Sequence, residues 1–210
     1  MFEHNFPKDH GKPLSAKHGA ACVWYFGFQC TQKGDIEFIN TFADKGIELS
    51  YWWMDAGWYP GDGNWGKVGT WKPDPERFPD GIKAVTEAAH SKGQEVIVWF
   101  EVERVAADTW ITKNHPEWVH GGAGGGLLKL DQPEVVQWVT DHVDKMITEE
   151  GIDLFRVDFN IDPLPYWRKK DTEDRHGIPA IRDIQANLAF WAELRASQPA
   201  VARDARASVA

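Results

Sequence analysis

Three times along this chain an amphipathic helix pattern stops at a glycine and an apolar strand pattern begins within a few residues. The first helix carries Ile36, Ile39, Phe42 and Ala43 on one face, stops at Gly46, and leads to a strand over Glu48–Met54. The second starts near Asp80, an N-cap residue type, and carries Ile82, Val85, Ala88 and Ala89. It stops at Gly93, before a strand over Glu95–Phe100. The third has Pro133 in its first turn, then Val135, Val136, Val139, Val143, Met146 and Ile147. It stops at Gly151, before a strand over Asp153–Asp158. A glycine ends a helix well because it adopts the left-handed conformation at no steric cost.

A strand over Val23–Phe28 precedes the first helix. A last helix over 178–195 places Ile181, Ile184, Leu188, Trp191 and Leu194 on its buried face. Apolar strands alternating with helices predict a parallel sheet covered by helices. The links from helix to strand are short. Those from strand to helix are long, with an extra strand over Leu127–Leu130 in one of them. Elaboration on that side alone is the habit of (β/α)8 barrels, whose chemistry sits at the strand C-termini. The expected fold class is therefore α/β, a partial (β/α)8 TIM barrel of about four βα units with parallel strands and long βα loops. Residues 1–20 read as an N-terminal extension, 21–196 as the barrel domain, and 197–210 as an irregular tail. A doubly wound sheet, the rival fold, also binds ligands at its strand C-termini.

A chain of 210 residues that is 42% apolar can bury one sizeable core. Its net charge of −9 opposes binding to nucleic-acid phosphates. No apolar run approaches the ~18 residues a membrane helix needs. The first fifteen residues lack the apolar centre of a signal peptide, so a cytoplasmic location is expected. Cys22 and Cys30, at the two ends of the first strand, would stand roughly 26 Å apart, beyond disulfide reach.

The stretch Gly151-Ile-Asp-Leu-Phe-Arg-Val-Asp-Phe-Asn160 points to chemistry. A strand places Leu154, Arg156 and Asp158 on one face, with the carboxylate at its end. Asp55 and Glu101 also end predicted strands, so a barrel would gather all three acids at one mouth. Other motifs fail inspection. Asp158-x-Asn160-x-Asp162 begins like a calcium loop but has Pro163 and Lys169 where Gly and Glu are needed. Gly121–Gly126 runs into a strand instead of a helix N-terminus, and so makes a poor phosphate cradle. The histidines show no ligand spacing. No metal or cofactor is expected. Of twelve tryptophans, Trp58, Trp65, Trp71, Trp110, Trp118 and Trp167 fall in connections, where Trp serves as lid, binding surface or packing.

Five segments occur in an order that resembles glycoside hydrolase family 36, the α-galactosidases and their relatives. They are Tyr51-Trp-Trp-Met-Asp-Ala-Gly-Trp58, Phe78-Pro-Asp-Gly81, Val98-Trp-Phe-Glu-Val-Glu-Arg104, His115-Pro-Glu-Trp118 and Phe155-Arg-Val-Asp-Phe-Asn160. The resemblance implies a (β/α)8 barrel, retaining hydrolysis of terminal α-galactosides, and Asp158 as nucleophile. It also implies that Asp55, Trp58, Trp99, Glu101, Arg156 and Asn160 bind an oligosaccharide or α-galactoside substrate. Two departures stand inside the motifs: Arg156 replaces the family lysine, and Ala56 replaces a second aspartate. Arg206, Val209 and Ala210 stand where a Cys-Ala-Ser-Gly-Gly turn is expected. The family's acid/base aspartate lies on a later strand outside these 210 residues, so the chain alone is expected to be inactive or very slow. A non-catalytic sugar-binding remnant remains the alternative, and pairing of two copies is an expected remedy for the open sheet.

Overall fold

The computed structural model describes residues 30–61 and 67–201 in full, and the backbone of 8–9, 12–13, 19–21 and 202–207. The expected strand over Val23–Phe28, Cys22, Trp65 and the last three residues lie outside the described residues.

Five parallel strands form the central sheet. In chain order the strands and helices are β1 (Lys8–Asp9), β2 (Lys12–Pro13), β3 (Gly19–Ala21), α1 (Gln32–Asp44), β4 (Tyr51–Met54), α2 (Lys83–His90), β5 (Glu95–Phe100), β6 (Arg104–Ala106), α3 (Trp110–Asn114), β7 (Gly125–Leu127), α4 (Pro133–Glu150), β8 (Leu154–Phe159), α5 (Leu164–Arg168), α6 (Ile178–Ser197) and β9 (Ala202–Ala207). The sheet order is β3-β4-β5-β8-β9, and every pairing is parallel. The order never reverses. A doubly wound sheet requires such a reversal at its switch point. The helices between successive strands form one layer, with α1 against α2, α2 against α4 and α4 against α6.

Two expectations about the ends are corrected. The sheet begins at Gly19, inside the segment read as an extension, and β1 and β2 pair antiparallel before it. The tail is not irregular throughout: Ala202–Ala207 forms β9 and pairs with β8, Asp158 standing opposite Arg206. Short segments rich in Ala and Arg carry little strand signal of their own. The neighbouring strand supplies the hydrogen bonds that define this one.

Local physics accounts for most boundaries. Thr31 caps α1 by accepting the Gly34 N–H. Gly151 ends α4 at φ 69°, its N–H bonded to Ile147 O. Asp80 does not cap α2. It exchanges bonds with Gln32 instead, and Glu150 of α4 accepts the Lys83 N–H at 2.7 Å. A carboxylate from the next helix thus serves the free N-terminus of α2.

One sheet face carries Trp52, Met54, Val96, Val98, Phe100, Phe155 and Val157, all buried, and meets the helix layer. Phe155 packs on Phe100 at 4.8 Å between centroids and on Phe190 and Trp191 of α6. Burying one such side chain stabilises the fold by about 1.5–3 kcal/mol. The face of α6 expected to be buried is largely exposed: Ile181, Ile184 and Leu188 are 51%, 51% and 63% accessible. The inward stripe is Asp183, Asn187, Phe190, Trp191 and Leu194, and its two polar members hid it from a hydrophobicity reading. Apolar and polar residues lie on both sides of this helix, so hydropathy does not announce which side faces in.

Candidate functional site

Side chains alternate along a strand, so the face opposite the helix layer carries Tyr51 and Trp53 of β4, Ile97 and Trp99 of β5, and Leu154, Arg156 and Asp158 of β8. Trp99 stands opposite Arg156 in the register. Asp55 and Glu101 immediately follow β4 and β5, so the three acids come together at the C-terminal ends of adjacent strands.

Asp158 is half-buried. Its Oδ2 accepts from Trp99 Nε1 at 3.4 Å, and its Oδ1 accepts the Phe159 N–H at 3.1 Å. Trp58 Nε1 in turn donates to Trp99 O at 2.9 Å. Glu101, fully buried, accepts the Asn160 N–H at 2.8 Å and pairs with Arg104 at 2.6 Å. The strand β5 therefore holds the end of β8 twice, once at the Asp158 side chain and once at the backbone two residues on. Burial pushes the Glu101 carboxyl up to about 7 against the pull of Arg104 and the Asn160 N–H, and the Asp158 charge adds to the rise. Burial also raises the Tyr59 phenol, with the charges of Glu101 and Asp55 contributing.

Several expected roles change. Trp58 and Trp99, expected to bind the substrate, are 0% and 1% accessible. They belong to a cluster with Tyr59, Trp71 and Phe100 above the sheet. Glu101 does not line an open mouth: its carboxylate is sealed against Arg104 and Asn160. Asp55 stays half-buried, its Oδ1 accepting the Ala56 N–H, and Asn160 is exposed. Arg156, 7% accessible, lays its guanidinium 4.5 Å from the centre of the Trp53 ring.

Trp53, Arg104 and Arg77 were missed. Trp53 precedes Asp55 by two, the same alternation that singled out Arg156 and Asp158, and so was available. Arg77 was not: its guanidinium donates to the carbonyls of Cys30, Gly57 and Tyr59 and pairs with Asp74 at 3.0 Å. It thereby ties down the loop after β4.

The melibiase profile matches residues 8–204. The chain belongs to the melibiase family. It is 28% identical over 144 residues to α-galactosidase C of Emericella nidulans, which covers 58% of this chain and 19% of that protein. It is 24% identical over 164 residues to α-galactosidase Mel36A of Lactobacillus acidophilus, covering 73% of this chain and 21% of that protein. Among solved structures, the α-galactosidase of Lactobacillus brevis superposes with a TM-score of 0.79 at 24% identity, covering 93% of this chain and 27% of that one. A GH36 α-galactosidase of Geobacillus stearothermophilus in complex with stachyose gives 0.79 at 17% identity, over 91% and 28%. This melibiase-family chain thus spans about a fifth of the length of the curated relatives it matches. No helix among the described residues is long and apolar enough to cross a membrane.

Proposed function

We propose that this chain forms an arc of the catalytic (β/α)8 barrel of an α-galactosidase-like retaining glycosidase, with Asp158 as its nucleophile. The unreversed strand order and the single helix layer support the arc. The observation that carries the assignment of Asp158 is its place. It is the penultimate residue of β8, half-buried, with Trp99 Nε1 on one oxygen, the Phe159 N–H on the other, and a buried brace, Glu101, holding the Asn160 N–H. A carboxylate oriented by donors on both oxygens keeps spare lone pairs, and can present one to an anomeric carbon.

In that reaction an Asp158 oxygen bonds to C1 of a terminal α-galactoside as the C1–O bond of the leaving group breaks. Water then hydrolyses the galactosyl ester with net retention. Asp55, just after β4, and Arg156, on β8 itself, hold sugar hydroxyls, and Asn160 lies on the exposed rim. Protonation of the leaving oxygen needs a second carboxyl ~5–5.5 Å from the first. Glu101 is sealed from solvent, and Asp55 is assigned to hydroxyls. The 210 residues alone therefore hydrolyse unactivated galactosides very slowly or not at all. Assaying the purified chain on raffinose tests this: background turnover is expected. Robust turnover abolished by Asp158→Asn would show that the acid lies within these residues.

A further inference from the structure

Of the tryptophans in the connections, Trp58 and Trp71 are buried and Trp118 and Trp167 half-buried. Trp110 alone among those described is exposed, 37% accessible. It stands at the first position of α3 and lines a groove of about 540 Å³ between the loop after β4 and the loop after β6. That volume falls in the range of small-molecule sites. The ring is held by a column of stacked rings. Trp110 lies 5.4 Å from Trp138 with planes 7° apart, and Trp138 lies 5.0 Å from His142 with planes 5° apart. His142 Nε2–H donates to Trp71 O at 2.6 Å, which anchors the column to the buried aromatic cluster. An indole so fixed loses little entropy when a ligand covers it. Beside the ring stand His115, tilted, at 5.3 Å between centroids, and Lys72, whose Nζ is 5.9 Å from the ring centre, the outer limit of a cation–π contact.

The rest of the groove is polar. Asp108 lies between two lysines, 3.7 Å from Lys67 Nζ and 3.6 Å from Lys113 Nζ. Thr70 and Glu76 add a hydroxyl and a carboxylate. Because the lysines flank a carboxylate, the groove offers donors and acceptors without a strong field of either sign. An ion gains little there. A pyranose has an apolar C–H face and a rim of hydroxyls, and so uses both the ring and the rim.

We propose that this groove is a second saccharide-binding site, where a neutral pyranose stacks on Trp110 and its hydroxyls are read by Asp108, Lys67 and Lys113. The preference for a saccharide over other polyols rests on the glycosidase reading above. The site itself does not depend on Asp158. Calorimetric titration of the 210-residue chain with stachyose tests it, using Trp110→Ala, Asp108→Asn and Asp158→Asn. Trp110→Ala is expected to weaken one binding event at least tenfold and Asp108→Asn severalfold, while Asp158→Asn leaves that event unchanged. Asp108 is exposed, so its variant keeps the test valid even if Trp110→Ala disturbs the column. No binding by the parent chain, or binding unchanged in both groove variants, overturns the proposal. Binding lost only in Asp158→Asn removes the groove and leaves the nucleophile reading standing. Binding lost only in the groove variants supports the groove and leaves the nucleophile reading standing, because Asp158→Asn removes attack but keeps the shape of that site.

Discussion

Replacing Glu103 by Gln should raise stability at alkaline pH and leave it nearly unchanged at acidic pH. Glu103 is 6% accessible, and its Oε1 accepts from Asn187 Nδ2 at 2.7 Å. Burial pushes its carboxyl from 4.5 up to about 8, its own backbone N–H and Asn187 pull the other way, and the Glu101 and Asp183 charges add to the rise. The folded state therefore holds a proton that the unfolded chain has released by neutral pH. The stability this gives is fully present below about pH 4.5 and is lost as pH rises through about 8. Linkage between those two pKa values gives a loss of roughly 3–4 kcal/mol from pH 5 to pH 8. Gln keeps the shape and the acceptor for Asn187 but cannot ionise. Urea denaturation of both proteins at pH 5.0, 6.5 and 8.0 measures the difference. With an m-value of about 2 kcal/mol/M, the variant's midpoint at pH 8 should exceed the parent's by about 1.5–2 M. Glu101, at about 7, and Asp183, at about 6, have the same sign, so the variant's pH dependence shrinks without vanishing. Parallel pH profiles for the two proteins would refute the reasoning.

Other outcomes follow from the same structure. Glu101→Ala removes the counter-charge of Arg104 and the acceptor of the Asn160 N–H, and should cost about 3 kcal/mol by urea denaturation. Ile184→Ser, on the open side of α6, should change stability by less than about 0.5 kcal/mol and lower self-association in sedimentation; a large loss would mean that this side is buried. Gly125→Ala should cost on the order of 2–4 kcal/mol, because φ is 82° and a methyl would meet Val105 O at 2.5 Å, and hydrogen exchange should quicken in β6 and β7. Cys30, 2% accessible and pushed up to about 12 by burial and the Asp35 charge, should resist alkylation in the native state and react on unfolding, read at its own peptide by mass spectrometry.

The βα framework was legible because its signals are local. Glycines at helix ends, alternating strands and short αβ links mark α1, α4, β5 and β8 to within a residue or two. What was not legible depends on partners distant in sequence. Asp80 looked like a cap, yet Glu150 across the helix layer serves α2. The stripe of α6 was misplaced because Asp183 and Asn187 face inward with Phe190, and hydropathy does not anticipate polar residues on a buried face. Strand β9 exists by pairing with β8, which no property of Ala202–Ala207 advertises. At the site, alternation along a strand marks Arg156 and Asp158, and position at a strand end marks Asp55 and Glu101. The roles of Trp58, Trp99 and Glu101 were not legible, because whether a residue at a strand end opens to solvent or is capped by a loop depends on how that loop folds. Arg77 is the sharpest case: its importance lies in three backbone carbonyls.

The central claim is that Asp158 is a nucleophile poised at a galactose site. An activated fluorosugar tests it directly, because fluoride leaves without needing a proton from a second carboxyl. Incubating the chain with 5-fluoro-α-galactosyl fluoride and mapping the adduct by mass spectrometry should show slow, stoichiometric labelling of Asp158, absent in Asp158→Asn. Labelling of another carboxylate, or none at saturating reagent, would contradict the account.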